Sequence, residues 1–217
     1  MRNIVIFGLL AVMLQAGCSK DATIKPKDYP FVITRDADVT EDGATFYADI
    51  IDPGKFEIIK YGFIWMKFTE EGLLLYSREL EFTGSPTAGV YSIKINAGLT
   101  QNQEYFIRAF VETDSCTVYG NTISFVSRGC PAPQITGFSP SAGPIGTIVE
   151  MTGSNFSPYV KDNYVSIGVK TLIVEEAYEN RLIIKIPVVN GAIQGPISVL
   201  TAGMTVTTQQ SFQIIYP

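Results

Sequence analysis

The sequence predicts an all-β protein built as two β-sandwiches in tandem. From about Phe31 to Ser127 the chain is a series of short apolar–polar alternations separated by Gly, Pro, Asp and Asn, the pattern of an antiparallel sandwich. Near Cys130 the style of turn residue and strand changes, and 217 residues are enough for two small domains. No segment has a convincing helical period.

Arg2 gives the N-terminus a positive start, and an apolar run from Ile4 to Leu14 is interrupted only by Gly8. A spanning helix needs roughly 20 apolar residues, so this run is too short to remain in a bilayer. Residues 1–17 read as a secretory signal segment that is removed. Ala16-Gly17-Cys18 resembles the lipobox of bacterial lipoproteins, with Gln15 where an aliphatic residue is usual. The resemblance implies that Cys18 is lipidated, that residues 18–29 form a tether, and that the lipid makes the membrane a partner. Cys18-Ser19-Lys20-Asp21 resembles the export tag of Bacteroidota-type surface lipoproteins. The expected location is therefore the outer membrane, exposed at the cell surface.

Composition narrows the chemistry. The chain has 16 basic and 21 acidic side chains, a net charge of −5, and no basic run. That excludes nucleic acid as a partner, because such binding rests on clustered Lys and Arg at phosphates. There is no histidine, which removes Ser-His-Asp and Cys-His catalysis and the usual zinc sites. No metal and no cofactor are expected. A glycosidase needs only two carboxylates, but Glu70-Glu71 and Glu175-Glu176 are each adjacent, and on a strand each pair would point to opposite faces. No catalytic residue is assigned, and the protein is not expected to be an enzyme. Thr117 to Val126 reads as a strand that holds its ends about 30 Å apart. A disulfide needs Cα atoms within about 7 Å, so Cys116 and Cys130 are expected to be free.

The first domain is placed at residues 30–128. Ala44, Phe46, Ala48 and Ile50 alternate with Thr45, Tyr47 and Asp49, and Asp52-Pro53-Gly54 ends that strand. The next strand is expected to place Ile59, Tyr61, Phe63 and Trp65 on one apolar face. Tyr105, Ile107, Ala109 and Val111 alternate with Phe106, Arg108, Phe110 and Glu112. Leu99 precedes Tyr105 by six residues, a spacing that resembles the tyrosine corner, in which the phenol bonds back to the preceding turn. With Tyr61-Gly62-Phe63-Ile64-Trp65 and Val118-Tyr119-Gly120-Asn121, this stretch is similar to fibronectin type III-like modules.

Residues 129–132, within Arg128-Gly129-Cys130-Pro131-Ala132-Pro133, read as a linker. Residues 133–217 form the second domain. Pro133-Gln134-Ile135-Thr136-Gly137-Phe138-Ser139-Pro140, Ser141-Ala142-Gly143-Pro144-Ile145-Gly146-Thr147 and Val149-Glu150-Met151-Thr152-Gly153-Ser154-Asn155-Phe156 resemble the opening of IPT/TIG domains. The resemblance implies an immunoglobulin-like sandwich, so the fold class is two immunoglobulin-like sandwiches in tandem. The strand around Val149 and Met151 is expected to be partly covered on both faces, with Phe156 capping the core. Gly146 and Gly153 are expected where a side chain would be disfavoured.

Two sandwiches on a lipid tether suggest non-catalytic polysaccharide capture, by aromatic stacking and polar contacts at loop tips. The candidate ligand-binding residues are Tyr159 and Tyr164, with Trp65 behind them, although its strand position also suits core packing. The alternative is a structural or adhesive role, with a protein partner on an exposed strand edge.

Overall fold

The computed structural model describes residues 28–67, 77–84, 86–191 and 193–215. The signal segment, Cys18, most of the tether, Glu70 and Glu71 lie outside the described residues.

The first sandwich contains β1 (Phe31–Thr40), β2 (Gly43–Asp52), β3 (Ile58–Lys67), β4 (Ser77–Thr83), β5 (Gly89–Ile95), β6 (Glu104–Thr113) and β7 (Thr117–Val126). Its sheets are β1-β2-β5 and β4-β3-β6-β7, antiparallel throughout. The alternation in β2 and β6 buries Phe46, Ala48, Ile50, Tyr105, Ile107, Ala109 and Val111 between the sheets. Strand β3 departs from expectation. A register shift between Ile58 and Lys60 places Ile58 in the core and leaves Ile59 51% exposed. A bulge inserts one extra residue, which reverses the facing of everything before it. Tyr61, Phe63 and Trp65 do pack against the core.

Gly120 and Asn121 join β7 to β1 on the opposite sheet. Asn121 accepts from the Thr34 N–H at 3.0 Å and donates to the Thr34 carbonyl at 3.1 Å. A Cβ at Gly120 would stand 2.7 Å from Thr34 Oγ1, so only glycine permits this approach.

The second sandwich contains β8 (Gln134–Ser139), β9 (Ala142–Gly143), β10 (Ile148–Ser154), β11 (Tyr164–Ile167), β12 (Lys170–Thr171), β13 (Ile173–Tyr178), β14 (Arg181–Lys185), β15 (Ile193–Thr201) and β16 (Met204–Ile214). Its sheets are β13-β14-β10-β8 and β12-β11-β15-β16-β9. Strand β9 runs parallel to β16, so the chain changes sheets after β8. Val149 and Met151 are fully buried while Ile148 and Thr152 face outward, so β10 is covered on one face and not, as expected, on both. Among the described residues no second layer packs over that side, and the strict period of two keeps the faces separate. Phe156 is buried in the core. Gly153 serves close packing: a Cβ there would lie 2.0 Å from the Gln134 carbonyl oxygen and 2.5 Å from the Phe156 ring.

The segment between the sandwiches is fastened at both ends. Gly129 N–H donates to Ser127 Oγ at 3.0 Å, and Asn155 Nδ2 donates to the Ala132 carbonyl at 2.9 Å. Cys116 and Cys130 are both free thiols, and Cys130 is buried.

Candidate functional site

The site lies where the two sandwiches meet. Arg78 is opposite Trp65 in the β3–β4 ladder, on the inward face of β4, with Leu80 and Phe82 two and four residues further on. An arginine on an apolar face requires a counter-charge, because an unpaired buried ion is very costly. The second sandwich supplies it. Arg78 Nε donates to Asp162 Oδ2 at 2.9 Å and Nη2 donates to Oδ1 at 2.6 Å, a two-point fork with both side chains buried at 4% and 8% exposure. Such planar pairing fixes orientation as well as distance. Ser157 Oγ donates to the same carboxylate at 2.9 Å.

The loop that presents Asp162 is shaped by Asn163. Its Nδ2 donates to the carbonyls of Ser157 and Tyr159 at 2.8 and 3.0 Å, and its Oδ1 accepts from the Ser157 N–H. A 3-10 turn at Val160–Asp162 follows Tyr159. Tyr159 is thereby held against the first sandwich: the Arg78 guanidinium lies 4.6 Å from the Trp65 ring and 5.4 Å from the Tyr159 ring. The two rings meet edge to face at 6.0 Å. Burial raises the pKa of the Tyr159 hydroxyl, with Trp65 and Arg78 acting in the opposite sense.

A second contact lies beside the first. Strands β15 and β16 are joined by the two-residue turn Ala202-Gly203, with φ of 50° and 77°, the left-handed pair of a tight hairpin. Ala202 and Met204 pack against the core of the first sandwich. A Cβ at Gly203 would come within 3.2 Å of Thr100. That Thr100 belongs to the tyrosine corner, its N–H donating to the Tyr105 hydroxyl at 2.9 Å as the spacing from Leu99 implies. The Cys130 thiol is buried at this contact, and its pKa is raised by that burial.

Beside these contacts is a cleft of about 250 Å³, lined among others by Lys67, Thr100, Lys161, Tyr164 and Thr201 as well as the Arg78–Asp162 pair. Tyr164 is 50% exposed, and its hydroxyl is tied to that of Thr171. Thr201 Oγ1 is buried in the wall without a hydrogen-bond partner. Among the described lining residues Asp162 is the one carboxylate, and Arg78 and Ser157 already occupy it. Two opposed carboxyl groups of the kind glycoside hydrolysis needs are not found among them. Among the described residues, no group of three or more His, Cys, Asp or Glu could hold a metal.

The three candidates from the sequence occupy three different environments. Trp65 has 0% exposure, closed off beneath Arg78 and Tyr159. No ring face remains open to a ligand, because its apolar position on β3 directs it into the core. Tyr159 is half-buried at the junction. Tyr164 alone of the three presents substantial surface to the cleft. The Arg78–Asp162 pair, 84 residues apart in sequence, was not anticipated. Its signal was an arginine in register with Leu80 and Phe82 on one face of a strand.

Residues 133–214 match the model of the IPT/TIG domain, so the second sandwich is an IPT/TIG domain. No curated protein matches the chain in sequence. Among solved structures, SGBP-B from a complex xyloglucan utilization locus in Bacteroides uniformis is 18% identical with a TM-score of 0.35, covering 84% of this chain and 49% of that one. SGBP-B of a Bacteroides ovatus mixed-linkage glucan utilization locus, in complex with a mixed-linkage heptasaccharide, is 17% identical with a TM-score of 0.28, covering 87% and 41%. The FN1-FN3 domains of chicken CNTN1 are 12% identical with a TM-score of 0.32, covering 86% and 65%. The chain spans less than two thirds of the length of each, and at these scores the likenesses decide nothing about function.

Proposed function

We propose that this protein is a non-catalytic lipoprotein, anchored at the outer membrane through Cys18 and exposed at the cell surface, that captures polysaccharide. The observation that carries the reading is the cleft at the junction of the two sandwiches, with the Tyr164 ring at its edge and hydroxyl and ammonium groups in its walls. A half-exposed ring beside convergent polar groups suits a sugar, whose faces are apolar and whose edges are hydroxyl. The non-catalytic part is supported by a sequence without histidine and by the engaged state of Asp162. Affinity electrophoresis of the full chain against a polysaccharide panel tests the reading. Retardation by at least one polysaccharide is expected, weakened at least about tenfold in Tyr164→Ala. Passage unretarded through every gel would sink it.

A second reading, contact with another protein, has one observation in its favour. Strand β5 is terminal in its sheet, with Val90 strongly exposed, so it offers an edge for strand addition.

A further inference from the structure

We infer that the polysaccharide held in this cleft carries carboxylate groups, as in a chain containing uronic acids, and that Lys67 is the residue that selects it. The inference rests on the proposed capture function and names the ligand class of that same site. It comes from a contrast between the two ends of one strand. At the start of β3, Lys60 gathers three carboxylates, Glu79, Glu81 and Glu112, at 3.1, 3.2 and 3.4 Å. At its end, Lys67 is half-buried, lines the cleft and makes no ion pair among the described residues.

The nearest carboxylate in the cleft lining cannot serve Lys67. Both oxygens of Asp162 are engaged by Arg78, and Ser157 adds a third bond. The fork cancels the Arg78 charge, so Lys67 is the cation that the first sandwich offers to the cleft. A partly desolvated ammonium pairs more strongly with an anion than an exposed one does, and it hydrogen-bonds a carboxylate more strongly than a neutral hydroxyl. A hexuronate ring would supply both its carboxylate for Lys67 and an apolar face for Tyr164.

The test is affinity electrophoresis of the full chain in polygalacturonate and alginate gels, with xyloglucan and dextran as neutral counterparts. The wild type is expected to be retarded by at least one polyuronate and more weakly by the neutral chains. Raising salt from about 0.05 to about 0.5 M should weaken that retardation, since screening acts on the ion pair. Lys67→Gln should lower the affinity at least about tenfold, and Lys67→Arg should restore most of it. Trp65 fluorescence of both variants should match the wild type, which excludes a folding defect. Retardation by neutral chains alone, or polyuronate binding unchanged in Lys67→Gln, overturns the inference and leaves polysaccharide capture standing. Retardation by no polysaccharide of either class overturns both.

Discussion

The two sandwiches are built from different cores, and among the described residues only the first core takes packing from its neighbour. The first is aromatic: Phe46 contacts Phe63, Trp65 and Phe125 with centroids 5.5 to 6.1 Å apart, and Tyr105 lies between Trp65 and Phe125. The second is mainly aliphatic, with Val149, Met151, Val165, Ile167, Leu182 and Ile184 around Phe156 and Phe212. Among the described residues, the partly buried side chains that pack on the second core all come from that domain. Those that pack on the first include Tyr159, Ala202 and Met204 from across the junction. Among the described residues, then, side chains of the second sandwich complete the first core, and none of the first completes the second.

That asymmetry can be broken most forcefully from within. Phe46→Ala removes the ring shared by Phe63, Trp65 and Phe125 and should cost about 3–5 kcal/mol. A denaturant titration followed by Trp65 fluorescence should show an early transition for the first sandwich, while the second unfolds at its original midpoint. Loss of both transitions together would mean the domains are one cooperative unit.

Asp162→Ala is the sharper probe, because the change lies in the second domain and the damage is expected in the first. It leaves the Arg78 guanidinium buried without its fork and should destabilise by about 3 kcal/mol, read again at Trp65. The double variant Arg78→Met with Asp162→Leu should recover much of the loss, since an apolar pair needs no counter-charge. Destabilisation confined to the second sandwich would contradict the asymmetry.

Smaller effects test its outer parts. Tyr105→Phe strips the acceptor from the Thr100 N–H beneath the hairpin turn and should cost about 1 kcal/mol of first-domain stability. Alkaline pH should separate the domains without mutation. Burial raises the hydroxyl pKa of Tyr91, Tyr105 and Tyr159, all of which pack on the first core. A raised pKa favours the neutral form in the folded state, so the stabilisation is whole below the unfolded value of about 10 and is lost as pH rises beyond it. The first transition should move to lower denaturant above about pH 10 before the second does. Equal movement of both would remove the tyrosines as the cause.

The strand pattern was legible because it is local. Alternation in β2, β6 and β7, the glycines and prolines of the turns, and the Leu99-to-Tyr105 spacing act within a few residues and do not need the rest of the chain. The bulge at Ile59 was not legible, since one inserted residue shows only when the partner strand is in place. The faces of β10 were misjudged for the same reason: Ile148 looks apolar in sequence, and whether it is covered depends on which layer lies beside it. The candidate residues divide along this line too. Tyr159 and Tyr164 were expected near loop tips; Tyr159 precedes the 3-10 turn and is turned into the junction, whereas Tyr164 opens strand β11 and stays half exposed.

By itself, the sequence determined the class of fold, the two-domain order, the absence of histidine chemistry and the freedom of Cys116 and Cys130. Only the tertiary structure decided that the domains lock through Arg78 and Asp162, that Trp65 is sealed, and that Lys67 and Tyr164 share one cleft. The division has a physical cause. Periodicity and turn chemistry are properties of neighbours along the chain, whereas a buried ion pair is a property of two surfaces that meet only after each has folded.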